Sequence, residues 1–422
     1  MEGQILALVA AAILAFGVIS RRAESTVLTP PIFFVGLGLL AAGLGLIQVE
    51  ISERVIHLLA EITLVVVLFT DASRIQMSQL KRGHNLPIRL LLIALPLTIG
   101  LGTLAAAGLF PAFTLWEAAL LAAVLAPTDA ALGQAVVSSP KVPVRIRQTL
   151  NVESGLNDGI ALPLVLVFLS ACSSAVPGLG GTEYWLRFAA SQLTFGPLAG
   201  VLVGWLGGKL VDWASRTGWM NHAFQHLSAL GLALLAYAGA EQVHGNGFIA
   251  AFVAGLVLGN TVSESVSDSL YEFAEAEGQL LALLVFLVFG GWLLPHAVEH
   301  VDPMYVVYGL LSLTVVRMLP TALSLLGAKL KAPTIFFLGW FGPRGIASIL
   351  FGLLVIDRSQ LENREEIFAV VLVTVLLSVV LHGVTANAGA GWYSRHAEDM
   401  DRDDPALEAV PEMRPRIQHG SE

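Results

Sequence analysis

Apolar residues recur along this chain in long runs, and short polar segments separate one run from the next. The runs hold roughly 16 to 25 residues, and about 20 apolar residues suffice for a helix that crosses a bilayer. Barrel strands would instead show short segments in which apolar and polar residues alternate. The pattern therefore predicts an all-α polytopic membrane protein with about thirteen transmembrane helices. We place these helices at residues 4–20, 30–49, 55–77, 87–109, 115–138, 147–171, 185–210, 222–241, 246–261, 277–294, 303–326, 333–356 and 365–388.

Composition supports the same class of protein. Of the 422 residues, 55% are hydrophobic and 13% are charged, whereas soluble domains carry about 25% charged residues. The single cysteine, Cys172, excludes an intrachain disulfide and a cysteine-based metal site, and we expect no cofactor. The formal charge of −9 argues against nucleic acid as a partner. We interpret residues 4–20 as the first span, because no basic segment precedes them as it would in a signal peptide.

Basic residues predict the orientation in the membrane. If the odd-numbered loops share one side, thirteen of the 23 lysines and arginines lie in them and four lie in the opposite loops. Cytoplasmic loops carry such an excess of basic residues, so we expect the N-terminus outside and the C-terminus in the cytoplasm. The loop at residues 261–277 holds five acidic residues and no basic one. We favour a solvated surface helix over a sensor there, and its role stays open.

Two spans are interrupted near their middle by proline beside a charged residue. The fifth span contains Pro-Thr-Asp at residues 127–129, and the twelfth contains Phe-Gly-Pro-Arg-Gly at residues 341–345. Proline inside a helix removes a backbone hydrogen bond and clashes with the preceding turn. Thirteen spans divide as six, one and six, which places the two breaks at corresponding positions of two inverted repeats. Paired breaks of this kind are typical of the substrate site of a transporter.

Carboxylates within the spans are the candidate ion ligands, because a charge at membrane depth is costly unless it has a function or a partner. Asp158 is the strongest candidate for a group that carries a cation or a proton. Burial and neighbouring carboxylates both disfavour its charged form, which would let it exchange a proton for a cation near neutral pH. Asp71, in the third span, is either a further ligand or an acid near the cytoplasmic end of its span.

Glu153 needs a partner of its own. It precedes Asp158 by five residues, so the two side chains point about 140° apart on a helix. Only Arg317 and Arg344 are basic residues within spans. We therefore predict a structural ion pair between Glu153 and Arg317, with Arg344 as the competing partner, because an unpaired buried charge is very costly.

The charges at the two breaks have a different expected role. Helix ends carry partial charges, positive at the N-terminus and negative at the C-terminus, and Asp129 and Arg344 could neutralise them where two broken helices cross. Thr128 and Ser154 offer hydroxyl and carbonyl oxygens, which suit Na⁺ or Li⁺ better than a transition metal.

Three functional hypotheses fit parts of the sequence. The first is a secondary transporter that exchanges a monovalent cation for a proton. The second is a channel-like cation pathway without proton coupling, although no carbonyl-rich filter segment repeats along the chain. The third is an intramembrane hydrolase, which rests on the His-x-x-Glu-His pattern at residues 296–300. That pattern follows a proline in a short loop and is best explained by chance, so the exchanger is favoured and no enzymatic activity is expected.

The motifs also resemble those of a known family. The residues that carry the resemblance are Thr128 and Asp129 in a broken span, Glu-Ser-Gly-Leu-Asn-Asp at residues 153–158, Arg317, and Gly-Pro-Arg-Gly at residues 342–345. They resemble NhaP-type sodium/proton antiporters, the bacterial relatives of the sodium/proton exchangers. The resemblance implies a transmembrane antiporter domain over residues 1–390 in the cell (inner) membrane and a homodimer. Within it, spans at about 87–171 and 303–388 would form a mobile core, and the remainder a scaffold for dimerisation. Residues 391–422 would be a cytoplasmic tail, which we expect to be disordered.

The resemblance also implies roles for single residues. Asp158 would bind the cation (Na⁺ or Li⁺, with K⁺ as the alternative) and the proton in turn, Thr128 would supply a carbonyl and Ser154 a hydroxyl, and Asp129 and Asn157 would shape the site. Asp71 would match an acidic ligand of the third span. Relatives with Asn before the essential Asp are typically electroneutral, so Asn157 implies exchange of one cation for one proton. Gly155 departs from many relatives, which carry a larger apolar residue at this position.

Overall fold

The structure is a computed structural model. It describes residues 2–23, 26–46, 53–77, 85–129, 132–174, 182–263, 277–298, 301–358, 361–400 and 404–408. Within these residues the regular structure is entirely helical. In chain order the helices are α1 (Glu2–Ala23), α2 (Pro30–Gly43), α3 (Glu53–Ser73), α4 (Asn85–Leu109), α5 (Leu115–Val124), α6 (Gln134–Val137), α7 (Val144–Ser174), α8 (Thr182–Arg216), α9 (His222–Gln242), α10 (Gly247–Gly259), α11 (277–298), α12 (Pro303–Ser324), α13 (Ala332–Trp340), α14 (Ile346–Arg358) and α15 (Arg364–Glu398).

Each of the thirteen predicted spans contains a helix, and the two predicted breaks fall between helices. The fifth span is divided into α5 and α6, and the twelfth into α13 and α14. Seven helices are long and apolar enough to cross a membrane on their own, and five shorter apolar helices accompany them. The structure thus confirms a polytopic helical protein. The predicted boundaries shift at several ends: α2 ends at Gly43, before the predicted end at residue 49.

The last helix is longer than the predicted span. α15 continues to Glu398, although the span was predicted to end at residue 388 and a disordered tail to begin at residue 391. Tyr393 accounts for the extension, because its ring is fully buried and stacks on Phe337 of α13 at 4.3 Å. Its hydroxyl also lies 2.9 Å from the Thr334 hydroxyl. The buried apolar face of α15 therefore extends beyond the residues that are needed to cross the bilayer.

One turn of the chain beyond α15 is also folded. A 3₁₀ turn at Pro405–Leu407 begins with Asp404, whose carboxylate accepts from the Ala406 amide at 2.9 Å. The Arg145 guanidinium, at the start of α7, donates to the Pro405 carbonyl and forms an ion pair with Glu408. These contacts attach residues 404–408 to the helical domain. Residues 401–403 and 409–422 lie outside the described residues, as do residues 264–276 of the acidic loop.

The chain forms two compact units. The first comprises Met1–His57, Asn85–Ser154 and Ala282–His419. In this unit α15 packs against α12, α13 and α14, and α4 packs against α5. It contains both broken spans and most of the predicted mobile core, together with α1, α2 and most of α11. The part of α7 after Ser154 belongs to the second unit.

The second unit comprises Leu58–His84 and Gly155–Leu281. Its centre is a close contact between α8 and α10. Four glycines of α8, spaced four residues apart, face α10: Gly196, Gly200, Gly204 and Gly208. A Cβ at Gly204 would lie 2.6 Å from the Ala254 carbonyl oxygen. Small residues at such spacing let two membrane helices approach to backbone contact, a signal in the sequence that the prediction of spans did not use.

Candidate functional site

The first helix of the broken fifth span, α5, ends inside the protein. α5 starts with a capping box, in which the Thr114 hydroxyl accepts from the Glu117 amide and the Glu117 carboxylate accepts from the Thr114 amide. The helix ends at Val124, and residues 125–129 follow without helical structure. The last carbonyls of a helix have no partner within it, and here they are buried. Another group must therefore satisfy them.

The Ser348 hydroxyl donates to the Val124 carbonyl at 2.9 Å, and Arg344, from the break of the twelfth span, bonds to the carbonyls just beyond α5. Its guanidinium Nη1 donates to the carbonyl oxygens of Ala126 and Pro127, with the Pro127 distance at 3.0 Å. The side chain is fully buried. A positive charge therefore sits at the negative C-terminal end of α5, where the helix dipole stabilises it.

Asp129 has the reciprocal position. Its Oδ2 accepts from the Ile346 amide at 2.9 Å, at the N-terminus of α14, and its own amide donates to the Pro343 carbonyl at 2.8 Å. A negative charge thus faces the positive end of α14. Each break contributes the charged residue that neutralises the helix end of the other break. This is the arrangement proposed from the sequence, with the partner ends now identified.

Two glycines beside Arg344 leave room for this crossing. A Cβ at Gly345 would overlap the Asp129 carboxylate, and a Cβ at Gly342 would overlap the Arg317 guanidinium. From the sequence, both glycines were recognised only as part of the break. Their function follows from close approach: each lets a charged side chain lie directly against the backbone.

Glu153 and Arg317 form a two-bond ion pair. Arg317 Nη1 lies 2.5 Å from Glu153 Oε1, and Nη2 lies 2.8 Å from Oε2. Both side chains are 3% exposed. This is the pairing expected from the sequence, and Arg344 has other acceptors. Arg317 follows a distortion of α12 at Thr314, whose φ of −110° and ψ of −94° are not helical.

A small cavity lies at the break of the fifth span. Its lining includes Thr128, Asp129 and Ser154. The Ser154 hydroxyl donates to the Thr128 carbonyl at 2.7 Å, so the hydroxyl and the carbonyl expected at the ion site lie side by side. Hydroxyl, carbonyl and carboxylate oxygens together suit a hard monovalent cation better than a soft metal.

The remaining expected ligands lie in the second unit. Asn157 and Asp158 are buried on α7, at 1% and 6% exposure. Asp158 is one helical turn beyond Ser154, so both project from the same face of the helix. Asp71 is on α3 and is 9% exposed. The structure brings Thr128, Asp129 and Ser154 together around one cavity. Asp158 is not in the lining of that cavity and shares only the helix α7 with Ser154.

Gly155 lies on α7 between Ser154 and Asp158, and its Cα faces α3. A Cβ there would lie 3.6 Å from the Asp71 carbonyl oxygen and 3.7 Å from the Ile75 side chain. Alanine would fit in ordinary contact, but a larger apolar residue would meet α3. The position therefore has room for a methyl group beside α3.

Ser378 and His382 of α15 complete the surroundings of the twelfth-span break, and neither was predicted from the sequence. The Ser378 hydroxyl accepts from the Arg344 amide at 2.7 Å, and His382 Nε2 lies 2.9 Å from the Trp340 carbonyl. Both side chains are buried. A histidine within an apolar span was the available signal, since ionisable residues within membrane helices are rare.

Comparison with known proteins identifies the family. The family model described as sodium/hydrogen exchanger, transmembrane, matches residues 7–388. The chain belongs to this family. The resemblance to NhaP-type antiporters is thereby confirmed. A family of exchangers is a family of transporters, so the hydrolase hypothesis for the His-x-x-Glu-His pattern is wrong.

Relatives of this exchanger-family chain carry names of two kinds. The chain is 26% identical to the K(+)/H(+) antiporter NhaP of Alkalimonas amylolytica, over 89% of this chain and 63% of that protein. It is 25% identical to a Na(+)/H(+) antiporter of Schizosaccharomyces pombe, over 76% of this chain and 75% of that protein. It is also 28% identical to Na(+)/H(+) antiporter 2 of Zygosaccharomyces rouxii, over 60% of this chain and 33% of that protein. The chain thus spans less than two thirds of the length of the first and the last of these three relatives.

A solved structure shares the fold. The sodium proton antiporter MjNhaP1 from Methanocaldococcus jannaschii, at pH 8, superposes with a TM-score of 0.76 at 18% identity. The match covers 94% of this chain and 99% of that one. The chain therefore has the antiporter fold.

Proposed function

We propose that this protein is a secondary active transporter that exchanges a monovalent cation for a proton across the membrane. The observation that carries the proposal is the reciprocal neutralisation of the two broken helices by Arg344 and Asp129. It allows non-helical backbone at membrane depth, and the cavity beside it presents oxygens of Thr128 and Ser154. Such breaks are tolerated in a membrane where they line an ion site.

Asp158 is the proposed carrier of both ions. A single carboxylate binds a proton or a cation but not both at once, and this competition couples the two fluxes. Glu153 is engaged by Arg317, and Asp129 by the amide that begins α14. We assign ion exchange to Asp158, which is 6% exposed on α7 and stands at the position to which the resemblance to NhaP-type antiporters gives this role. Asn157, Ser154 and Thr128 would shape the site, with Asp71 as a further ligand. With one carrier, the exchange is one cation for one proton and electroneutral.

The cation is Na⁺, Li⁺ or K⁺. Relatives are named as K(+)/H(+) antiporters and as Na(+)/H(+) antiporters, and all three ions prefer oxygen ligands. Transport by alternating access requires that the site opens to one side at a time. A channel-like pathway is the competing function, and it would carry cation current without moving protons.

The proposed placement is a homodimer in the cell (inner) membrane, with the N-terminus outside and the C-terminus in the cytoplasm. The excess of basic residues in one set of loops supports this orientation. α8 exposes a wide apolar surface that includes Trp205 and Trp213. Such a surface suits lipid or a second copy of the chain.

The test uses purified protein in liposomes with an imposed pH gradient. Addition of Na⁺, Li⁺ or K⁺ to the wild-type protein should collapse the gradient, and Asp158→Asn should abolish this response while leaving the protein folded. Asp302→Asn is a matched control, because Asp302 caps α12 through its side chain and asparagine caps equally well. Full exchange by Asp158→Asn would overturn the assignment of the carrier. Cation current without proton movement would support a channel instead.

A further inference from the structure

We propose that His382 and Ser378 form a hydrogen-bonded bracket across the break of the twelfth span, and that His382 is a positioning residue for cation binding. The inference rests on the exchange function proposed above. The His382 ring bonds to the carbonyl of Trp340, the last residue of α13, and the Ser378 hydroxyl accepts from the Arg344 amide. The bracket thus holds both sides of the break from a single neighbouring helix.

The His382 ring has three polar neighbours. Nε2 lies 2.9 Å from the Trp340 carbonyl oxygen. Nδ1 lies 3.2 Å from the Ser378 hydroxyl and 3.0 Å from the Ser378 carbonyl oxygen. A carbonyl oxygen only accepts, so the bond to Trp340 requires a proton on Nε2.

Nδ1 faces an acceptor, the Ser378 carbonyl, and also a possible donor, the Ser378 hydroxyl, whereas Nε2 faces the Trp340 carbonyl. The neutral ring that gives both nitrogens a partner therefore carries its proton on Nε2 and leaves Nδ1 without one. A proton there would give the ring a positive charge in a fully buried site that already holds the Arg344 guanidinium, and burial of a further unpaired cation is costly. The neutral ring instead accepts the Ser378 hydroxyl proton at Nδ1. The Ser378 oxygen in turn accepts from the Arg344 amide at 2.7 Å. The bonds therefore run in one direction, from the Arg344 amide through Ser378 to His382 and on to Trp340.

The bracket acts on the ion site through the break itself. Trp340 ends α13, and the next residues lead directly to Arg344, whose side chain holds the carbonyls at the end of α5. Asp129 is attached to the same segment through the Pro343 carbonyl. The Gly342 amide also donates to the Trp340 carbonyl at 2.9 Å, so loss of the bracket removes the bond from this carbonyl to α15 and leaves the local one. The segment can then shift, which moves the oxygens that line the cavity. His382 itself does not touch the ion.

The transport test compares His382→Gln, His382→Asn and His382→Leu in liposomes, with rates normalised to folded protein. The glutamine amide can reach the Trp340 carbonyl, whereas the shorter asparagine amide and leucine cannot. We expect the apparent KM for the cation to rise about tenfold in the leucine and asparagine variants, as for loss of one buried hydrogen bond. The glutamine variant should stay close to wild type. A KM unchanged in all three variants would overturn the proposal.

His396 provides the matched control. It lies on the same helix, and its Nδ1 is 2.9 Å from the Trp392 carbonyl, one turn earlier. It makes the local bond but spans no break, so His396→Leu should leave the KM unchanged. An equal rise in KM for His396→Leu would show a general effect of α15 and would contradict the bracket.

A second measurement does not depend on transport. Nitrogen-15 NMR of histidine-labelled protein in lipid, with His382→Gln to assign the signal, reports which ring nitrogen is protonated. We expect a protonated Nε2 and an unprotonated Nδ1. A ring protonated at Nδ1 or at both nitrogens would overturn the bracket even if the wild-type protein exchanges ions. If the wild-type protein does not exchange ions, the proposed function fails and this measurement alone judges the bracket.

Discussion

Breaking the ion pair between Glu153 and Arg317 should destabilise the protein severely. Both side chains are 3% exposed, and two parallel bonds at 2.5 and 2.8 Å join them. Removing one partner leaves an uncompensated charge in a dry interior, which costs about 3–5 kcal/mol. Glu153→Ala and Arg317→Ala should therefore each lower the free energy of unfolding by an amount in this range.

The double variant distinguishes a direct interaction between Glu153 and Arg317 from two independent contributions to stability. With both charges removed, no buried charge is left without a partner, so Glu153→Ala with Arg317→Ala should recover part of the stability. Replacement of the pair by leucine and methionine, which fill more of the space, should recover more, because well-packed apolar residues often replace a buried pair at little cost. The coupling energy of the cycle should be at least about 1 kcal/mol in magnitude, as is typical of residues in direct contact.

The assay is unfolding of purified protein in mixed micelles, followed by tryptophan fluorescence. The exposed pair of Arg187 and Glu183 on α8 is the matched control, with side chains 80% and 79% exposed. A double-variant cycle there should show almost no coupling, because exposed pairs are screened by solvent. Additive losses at Glu153 and Arg317, with no coupling, would refute the pairing.

Further predictions concern close approach and the attached segment at residues 404–408. Gly345→Ala should lower the exchange rate at least tenfold, because its Cβ would displace the Asp129 carboxylate from α14, whereas Gly100→Ala, which meets no atom within 4 Å, should leave exchange unchanged. Equal rates for the two alanine variants, measured by proton flux in liposomes, would contradict the close approach. Arg145→Ala should lower the free energy of unfolding by about 1.5–3 kcal/mol, the usual range for a bond from a charged donor, through loss of its contact with Pro405. Stability equal to that of the wild-type protein in chemical unfolding would show that this contact contributes nothing.

The costly features of the site were predictable from the sequence. Proline at residues 127 and 343 breaks a helix through its missing N–H, and each break has a charge beside it. Few basic residues lie within the spans, so the cost of an unpaired buried charge limited the partner of Glu153 to Arg317, which we favoured, or Arg344. A proline inside a helix or a charge inside the membrane is so costly that the sequence alone shows where such a residue needs a partner or a break in the helix.

Features that rest on contact between distant segments were not predictable. Nothing in the sequence indicated that Gly345 faces Asp129, because the space for a missing Cβ is defined by the other break. His382 stood in an apolar run with no visible partner, since its acceptor is a backbone carbonyl 42 residues away. The length of α15 was underestimated because hydropathy reports the lipid-spanning part, whereas Tyr393 is buried by protein.

Competition between the proton and the cation for one carboxylate, Asp158, is the central claim. The most direct test measures cation-dependent proton flux in liposomes over a range of cation concentrations at several pH values, with the membrane potential clamped. Competition predicts that acidification raises the apparent KM for the cation and leaves the maximal rate unchanged. Fluxes should also be independent of the clamped potential. A maximal rate that falls on acidification with a constant KM, or a flux driven by the potential, would contradict this claim.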